Sequence, residues 1–269
     1  MNTYTNANAP KIRYVLVFDF ETTGLPKNSW TNYSLNPTTD VRTGHSIPAS
    51  DDSDYPHAVQ MSYILYDMEK NTAKIFDEIV QLQSGVGITA ESQAIHHISL
   101  ERTQGKTRRV KNRQTGRYRL QFNLTIGEIL RKFMPEFRKA DVIVSHNIQF
   151  DRNILLAEMD RLRRNKPIFD TYIQEVYTSR KTYCTAKNGA YVCKIGAINR
   201  IGREYYRMPK LTVLYATLFG DIQLDQTKLH NALYDVIICL RCFCQMQLGV
   251  DIYGLNNTVS ALLDDLTAK

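Results

Sequence analysis

Residues 12–20, IRYVLVFDF, form an almost unbroken apolar run rich in β-branched and aromatic side chains. Such a run predicts a strand buried on both faces. Two more strands are predicted at 58–67 (AVQMSYILYD) and 73–82 (AKIFDEIVQL), and the polar MEKNT between them suits a hairpin connection. A short helix is expected at 89–98 and a helix at 125–139, interrupted near Pro135 because proline removes an amide donor. ADVIVSH (140–146) reads as a short strand. Leu155, Met159 and Leu162 then follow at spacings of four and three, the stripe of an amphipathic helix. IFDT (168–171) reads as another short strand. Helices are predicted at 210–219 and 231–248, the second with Leu233, Val236, Ile237, Leu240 and Cys244 on one stripe, and 250–269 adds a short terminal helix. Residues 28–57 are rich in Asn, Ser, Thr, Pro and Asp without periodicity and read as a long loop, while 105–121 reads as a basic loop or hairpin. Strands mixed with helices in this order predict an α/β fold with a mixed central sheet in one domain.

The 269-residue chain is long enough to bury a full core without disulfide staples. No apolar run approaches the ~20 residues of a membrane helix, and MNTYTNANAP lacks the apolar core of a signal peptide. Five cysteines in such a chain are expected to be reduced thiols of an intracellular protein. The net charge of +7 is unevenly spread. Residues 102–119 carry +8 and residues 178–210 carry +7, so the rest of the chain sums to −8. Two basic stretches on an acidic body suit a polyanionic partner.

Asp19 and Glu21 lie two residues apart at the end of the first strand, and period-two alternation puts both carboxylates on one face. Ligands of α/β sheets gather at the carboxyl ends of strands. Two neighbouring carboxylates repel unless a cation neutralises them, and oxygen ligands of this kind suit Mg²⁺ or Mn²⁺. Alone, an Asp-x-Glu reads equally as a solvent-facing strand terminus. SHNIQFD (145–151) opens a later helix with Asp151, which alone reads as a helix cap. HNALYD (230–235) sets His230 five residues before Asp235. The two converge only with His230 in the loop before the helix and Asp235 in its first turns.

Taken together and in order, FDFETTGL, SHNIQFD and HNALYD resemble the three exonuclease motifs of the DEDDh (DnaQ-like) 3′–5′ exonucleases of the ribonuclease H-like fold. SQAIHHIS (92–99) and PKLTVLYATLFG (209–220) are similar to the segments that precede the second and third motifs. The resemblance covers roughly 12–248, leaving a flexible lead at 1–11 and a tail or short helix at 249–269. Cys184-Thr185, Cys193 and HNALYDVIICLRCF look most like the versions found in large DNA viruses. The loop at 28–57 and the basic segments at 102–119 and 178–210 depart from the compact family pattern.

The resemblance implies a ribonuclease H-like sheet of about five strands flanked by helices. It implies hydrolysis of nucleic acid, DNA before RNA, from a free 3′-OH to 5′-mononucleotides, in proofreading or repair. Two divalent cations, Mg²⁺ or Mn²⁺, would do this about 3.5–4 Å apart. Asp19 would bridge both, Glu21 and Asp235 would complete one site, Asp151 would support the second through water, and His230 would be the general base. Thr22, Thr23 and Leu25 would meet the 3′ end, backbone amides holding the terminal sugar and Leu25 wedging against the last base or else packing in the core. Asn147 and Phe150 would shape the pocket. His96, His97 and His146 lie in apolar contexts and read as structural. Arg108, Arg109, Lys111 and Arg113 would clamp the substrate's phosphates; a solvated hairpin or a targeting signal is the other reading of that segment. Cys239 and Cys242, with Cys184 and Cys193, make a zinc site conceivable without matching a tight zinc signature. The rival functions are RNA trimming by the same chemistry and a non-catalytic nucleic-acid-binding or polymerase-accessory module. A membrane partner is not expected.

Overall fold

The computed structural model describes residues 12–27, 33–34, 38–39, 46–47, 51–104, 108–111, 118–220 and 222–267, with backbone alone at 38–39, 46–47, 108–111 and 118–121. The long apolar run becomes β1, Tyr14–Thr22. Thr38–Thr39 and Ser46–Ile47 pair as β2 and β3, and β4, Ala58–Asp67, and β5, Thr72–Gln81, form the expected antiparallel hairpin. Two short helices follow, α1 (Ala90–His96) and α2 (Leu100–Gln104). The basic segment is an antiparallel hairpin of β6 (Arg108–Lys111) and β7 (Tyr118–Gln121). Next come β8 (Leu124–Thr125), α3 (Ile126–Lys139), β9 (Val142–Ser145), α4 (Ile148–Arg163) and α5 (Ile168–Thr178). The second basic segment holds β10 (Thr182–Cys184), α6 (Thr185–Cys193) and a hairpin of β11 (Gly196–Ile198) and β12 (Glu204–Tyr206). The chain ends in α7 (Leu211–Phe219), α8 (Ala232–Phe243) and α9 (Asn257–Thr267). Among the described residues, no helix is long and apolar enough to cross a membrane.

The central sheet has six strands, ordered β10-β9-β1-β4-β5-β8. β1 lies antiparallel to β4 and parallel to β9, and β9 is parallel to β10. This is the expected mixed sheet, with β8 added at one edge to make six strands where about five were expected. Alternation along β1 decides what each face carries. Leu16, Phe18 and Phe20 enter a core built with Ile129 and Phe133 of α3, Leu155 of α4, and Phe169 and Ile173 of α5. Val15 and Val17 face the other way, onto Val236, Ile237 and Leu240 of α8 and Val259 and Leu263 of α9. The same alternation carries Asp19 and Glu21 toward the face that α8 covers.

Two local expectations need correcting. α3 runs through Pro135 without a break. Its capping box at Thr125 and Glu128 fixes the start, and Ile129, Leu130, Phe133, Met134 and Phe137 are all buried, which outweighs one missing backbone hydrogen bond. Residues 168–171 are the first turn of α5, not a strand. Phe169, Tyr172, Ile173 and Val176 recur with helical period and are buried, so the stripe continues past the four residues that read as β. The 28–57 loop is tied down where it is described: the Tyr33 amide donates to Asn153 Oδ1 at 2.9 Å, and its hydroxyl bonds the Asp160 carboxylate on α4.

Candidate metal-binding active site

β1 and α8 make the site. Asp19 pairs with Ser62 and Glu21 with Gln60 on β4, and the register shifts between Glu21 and Thr22 as a bulge that turns the chain away. Asn231 caps α8 by accepting the Leu233 amide at 3.1 Å, so Asp235 falls in the first turn. The helix that covers Val15 and Val17 therefore delivers its first acidic residue beside Asp19 and Glu21. Oxygens of Asp19, Glu21 and Asp235 all lie within 4.8 Å of one another, each on a half-buried residue.

Asp151 stands against this trio from α4 and is buried. β9 pairs with β1 only at residues 15–17, so the edge beyond is open to side chains. Asp151 Oδ1 accepts the Phe20 amide at 3.2 Å, and Oδ2 bonds the Ser145 hydroxyl. These bonds favour the charged form and hold the pKa down, but burial dominates and lifts the carboxyl well above the ordinary range. Asp19 is pushed up by desolvation and then by Asp151, Asp235 and Glu21. Glu21 rises for the same reasons, with Asp235 the largest charge acting on it, and Asp235 rises through burial. Among the described residues none of the four forms an ion pair with Lys or Arg. Four acidic groups crowded without a protein cation fit a divalent cation: all-oxygen donors, mutual repulsion and partial burial. Asp19, Glu21 and Asp235 could ligate directly, while Asp151, with both oxygens engaged, suits an outer position.

His230 lies where convergence demands, in the turn before Asn231, with a left-handed φ of 59°. It is exposed and is not one of the residues gathered within 4.8 Å. Desolvation, Lys210 and His97 lower its pKa, so the imidazole is neutral at neutral pH and able to accept a proton.

The residues expected at the 3′ end divide. Leu25 is 82% exposed, which excludes the core alternative and leaves a free apolar side chain beyond the carboxylates. Thr22 and Thr23 are buried and used internally: Thr22 Oγ1 donates to Gly24 O at 2.7 Å, and Thr23 Oγ1 accepts the His57 amide at 3.0 Å. Of the backbone amides expected at the terminal sugar, that of Thr23 is engaged within the chain, donating to His57 O at 2.8 Å. Asn147 is exposed at the left-handed start of α4, whereas Phe150 packs against the large core. Arg113 and the side chains of Arg108, Arg109 and Lys111 lie outside the described residues.

The histidines read as structural have legible jobs. His96 Nδ1 accepts the Ile98 amide at 3.0 Å, so the 3.2 Å contact to Thr22 O is an Nε2–H donor that fixes the carbonyl beside Glu21. His146 bridges the Thr185 hydroxyl and Pro209 O at 3.0 Å each, and burial lowers its pKa to about 4. His97 differs from its apolar context: it is the exposed left-handed cap of α1. All five cysteines are free thiols, and among the described residues no cysteine joins a metal-sized cluster, so the zinc site is not formed.

Sequence reading missed Gln60, Ser62 and Asp77. Gln60 Nε2 donates to Asp77 Oδ1 at 2.7 Å and to the capping Asn231 Oδ1 at 3.4 Å, and Ser62 Oγ donates to the same Asp77 oxygen at 2.6 Å. Gln60 Oε1 is buried without a hydrogen-bond partner beside the carboxylates. The signal was present: two polar residues at period two in an otherwise apolar strand, opposite Asp19 and Glu21.

No protein-family model and no curated protein sequence matches the chain. Solved structures do. A 3′-exonuclease described in 3′-end-specific recognition of histone mRNA stem-loop aligns with TM-score 0.48 and 12% identity over 96% of this chain and 66% of that one. Cell-death related nuclease 4 (CRN-4) aligns with TM-score 0.47 and 13% identity over 87% of this chain and 64% of that one. The chain thus spans just under two thirds of both. The nuclease domain of 3′hExo, a DEDDh family member bound to rAMP, aligns with TM-score 0.48 and 12% identity over 97% of this chain and 96% of that one.

Proposed function

We propose that the chain is a metal-dependent 3′–5′ exonuclease that releases 5′-mononucleotides from a free 3′-OH. The observation that carries this reading is the gathering of Asp19, Glu21 and Asp235 within 4.8 Å at the carboxyl end of β1, where among the described residues none of them forms an ion pair with Lys or Arg. Divalent cations bound there would supply the positive charge that eases water deprotonation and departure of the leaving oxygen. His230, neutral and exposed in the turn before α8, takes the proton of the attacking water. The P–O bond to the 3′ oxygen of the preceding nucleotide breaks, and that oxygen becomes the new 3′ end. Asp151 orders the site from the rear through Ser145 and the Phe20 amide. Leu25 stands where the terminal base would be wedged.

The order of the three motifs supports the reading, as does the sheet that brings them together. DNA 3′ ends are the first candidate substrate and RNA 3′ ends the alternative; Mg²⁺ and Mn²⁺ are the candidate ions, two in number. The likeness to versions from large DNA viruses, and proofreading or repair as the setting, rest on the motifs alone.

The test uses 5′-labelled single-stranded DNA and RNA of matched sequence, with Mg²⁺, Mn²⁺ or excess chelator, for wild type and Asp19→Ala. Stepwise shortening from the 3′ end that chelator and the substitution both abolish is expected. Full turnover in chelator, or efficient cutting of a closed circle, overturns it.

A further inference from the structure

The β11–β12 hairpin uses none of the site's machinery, yet its surface is unusual. Its register pairs Ala197 with Tyr205 and Gly196 with Tyr206. The ladder runs one pair further at each end, because the Asn199 amide donates to Arg203 O at 2.9 Å and the Arg207 amide to Ile195 O at 3.0 Å. Period-two alternation therefore sets Arg203, Tyr205 and Arg207 on one face, an aromatic ring between two guanidinium groups. Tyr206 lies on the opposite face across from Gly196, where an added Cβ would meet nothing within 4 Å, so that face is open at Gly196. A concavity of about 600 Å³ is lined by Gly196, Ala197, Ile198, Glu204, Tyr205 and Tyr206.

These rings are not core residues left at an edge. Tyr205 is 50% and Tyr206 48% exposed. Lys194, Arg200, Arg203, Arg207 and Lys210 are all exposed, Glu204 is the single acid among them, and among the described residues none of the five cations forms an ion pair. A surface meant only for solvent needs no exposed tyrosines, and an apolar contact between proteins is weakened by five unpaired cations. Phosphates answer the cations and bases answer the rings.

The hairpin's trailing end is also anchored beside the start of α4 and acts on His230. Pro209 O accepts His146 Nε2 at 3.0 Å, and Pro209 Cγ packs near Gly189, where a Cβ would come within 3.2 Å. Lys210, three residues past Arg207 and so no more than about 11 Å along the chain, lowers the pKa of His230.

We infer that the β11–β12 hairpin is a stacking platform for single-stranded nucleic acid, holding unpaired nucleotides upstream of the 3′ end. The inference rests on the proposed function and names where that substrate lies. A single strand fits because rings stack only on bases freed from a duplex.

The test separates binding from hydrolysis. Binding of a fluorescent 12-nucleotide single strand, DNA or RNA, is measured in chelator for wild type, Tyr205→Ala/Tyr206→Ala, Tyr205→Phe/Tyr206→Phe and Arg203→Ser/Arg207→Ser. Loss of both rings should weaken binding tenfold or more, at about tenfold per stacked base, and the phenylalanine pair should keep wild-type affinity. The serine pair should flatten the log–log salt dependence by about 1.4, at about 0.7 per lost phosphate contact. Hydrolysis of p-nitrophenyl thymidine 5′-phosphate, too short to reach the hairpin, should be unchanged in all variants. Wild-type affinity in the alanine pair overturns the platform. So does equal binding of a blunt duplex, or a wild-type dimer in sedimentation that the alanine pair abolishes, which would assign the face to a second copy. Wild type that binds the strand through these residues but hydrolyses nothing with Mg²⁺ keeps the platform and removes the exonuclease reading.

Discussion

Neutralising Asp235 should stabilise the metal-free protein. Its carboxyl is raised from 3.8 to about 7, chiefly by burial against the sheet. In the unfolded chain it titrates near the ordinary value, so between about pH 4 and 7 the folded protein binds more protons than the unfolded one. Stability therefore falls as pH rises through that window. A shift of about three units at 1.36 kcal/mol per unit gives a ceiling of about 4 kcal/mol at pH 8. Unfolding entropy near 2.1 cal/mol/K per residue converts this, for a chain of this length, into at most about 7 °C in Tm. Asp235→Asn keeps the shape and removes the charge. In excess chelator at pH 8 it should melt several degrees above wild type, with the advantage shrinking as pH falls from about 7 and gone below about pH 3.5. Added Mg²⁺ should raise the Tm of wild type and leave the variant nearly unmoved. The assay is thermal unfolding across pH, with chelator or Mg²⁺. A variant no more stable than wild type at pH 8 in chelator would refute the electrostatic account of the cluster.

His230→Ala should lower turnover by about 10²–10⁴, the range for a lost general base, while the Mg²⁺-induced Tm rise stays at its wild-type size; losing that rise would make the histidine a ligand. Ser145→Ala removes a hydrogen bond that holds Asp151 down, so the acidic limb of the pH–rate profile should move to higher pH, and an unmoved limb would disconnect Asp151 from activity. Leu25→Ala should raise the KM for oligonucleotides several-fold with kcat nearly kept, read from steady-state rates. Replacing Arg108, Arg109, Lys111 and Arg113 with Ser should flatten the salt dependence of single-strand binding by about 0.7 per lost phosphate contact; an unchanged slope would leave that segment as solvated surface.

The sheet was legible where the chain alternates or runs apolar over many residues. β1, β4 and β5 declare themselves because each is long enough for its period to show. β8 and β10 are two and three residues long and are strands only because a neighbour's edge is there to pair with. α5 failed in the opposite direction. IFDT has β composition, but Phe169 belongs to a stripe that reaches Val176, and the stripe follows the core behind it. Pro135 misled for a related reason: burial of the α3 stripe is a tertiary gain that a local rule about amide donors cannot weigh.

The acidic residues were legible because alternation and helix capping act over a few residues. Asp19 and Glu21 share a face by period, and His230, Asn231 and Asp235 are set by one cap. Gln60 shows what local patterns leave out. It joins Asp77 of the hairpin partner to Asn231, the cap that orients both His230 and Asp235, across 171 residues of chain. Nothing within β4 asks for a glutamine there; the demand comes from opposite Glu21 and from the start of α8. The same reasoning explains why the hydroxyls of Thr22 and Thr23 are used within the chain. FETTGL places Thr22 and Thr23 next to the carboxylates, but the β1 bulge turns them inward, where His57 and Gly24 take up their hydrogen bonds. Leu25, two residues further, is the first side chain after the turn that reaches solvent with an apolar surface. The segment thus divides into carboxylates that hold charge, threonines that lock the turn, and a leucine free to touch what the site binds.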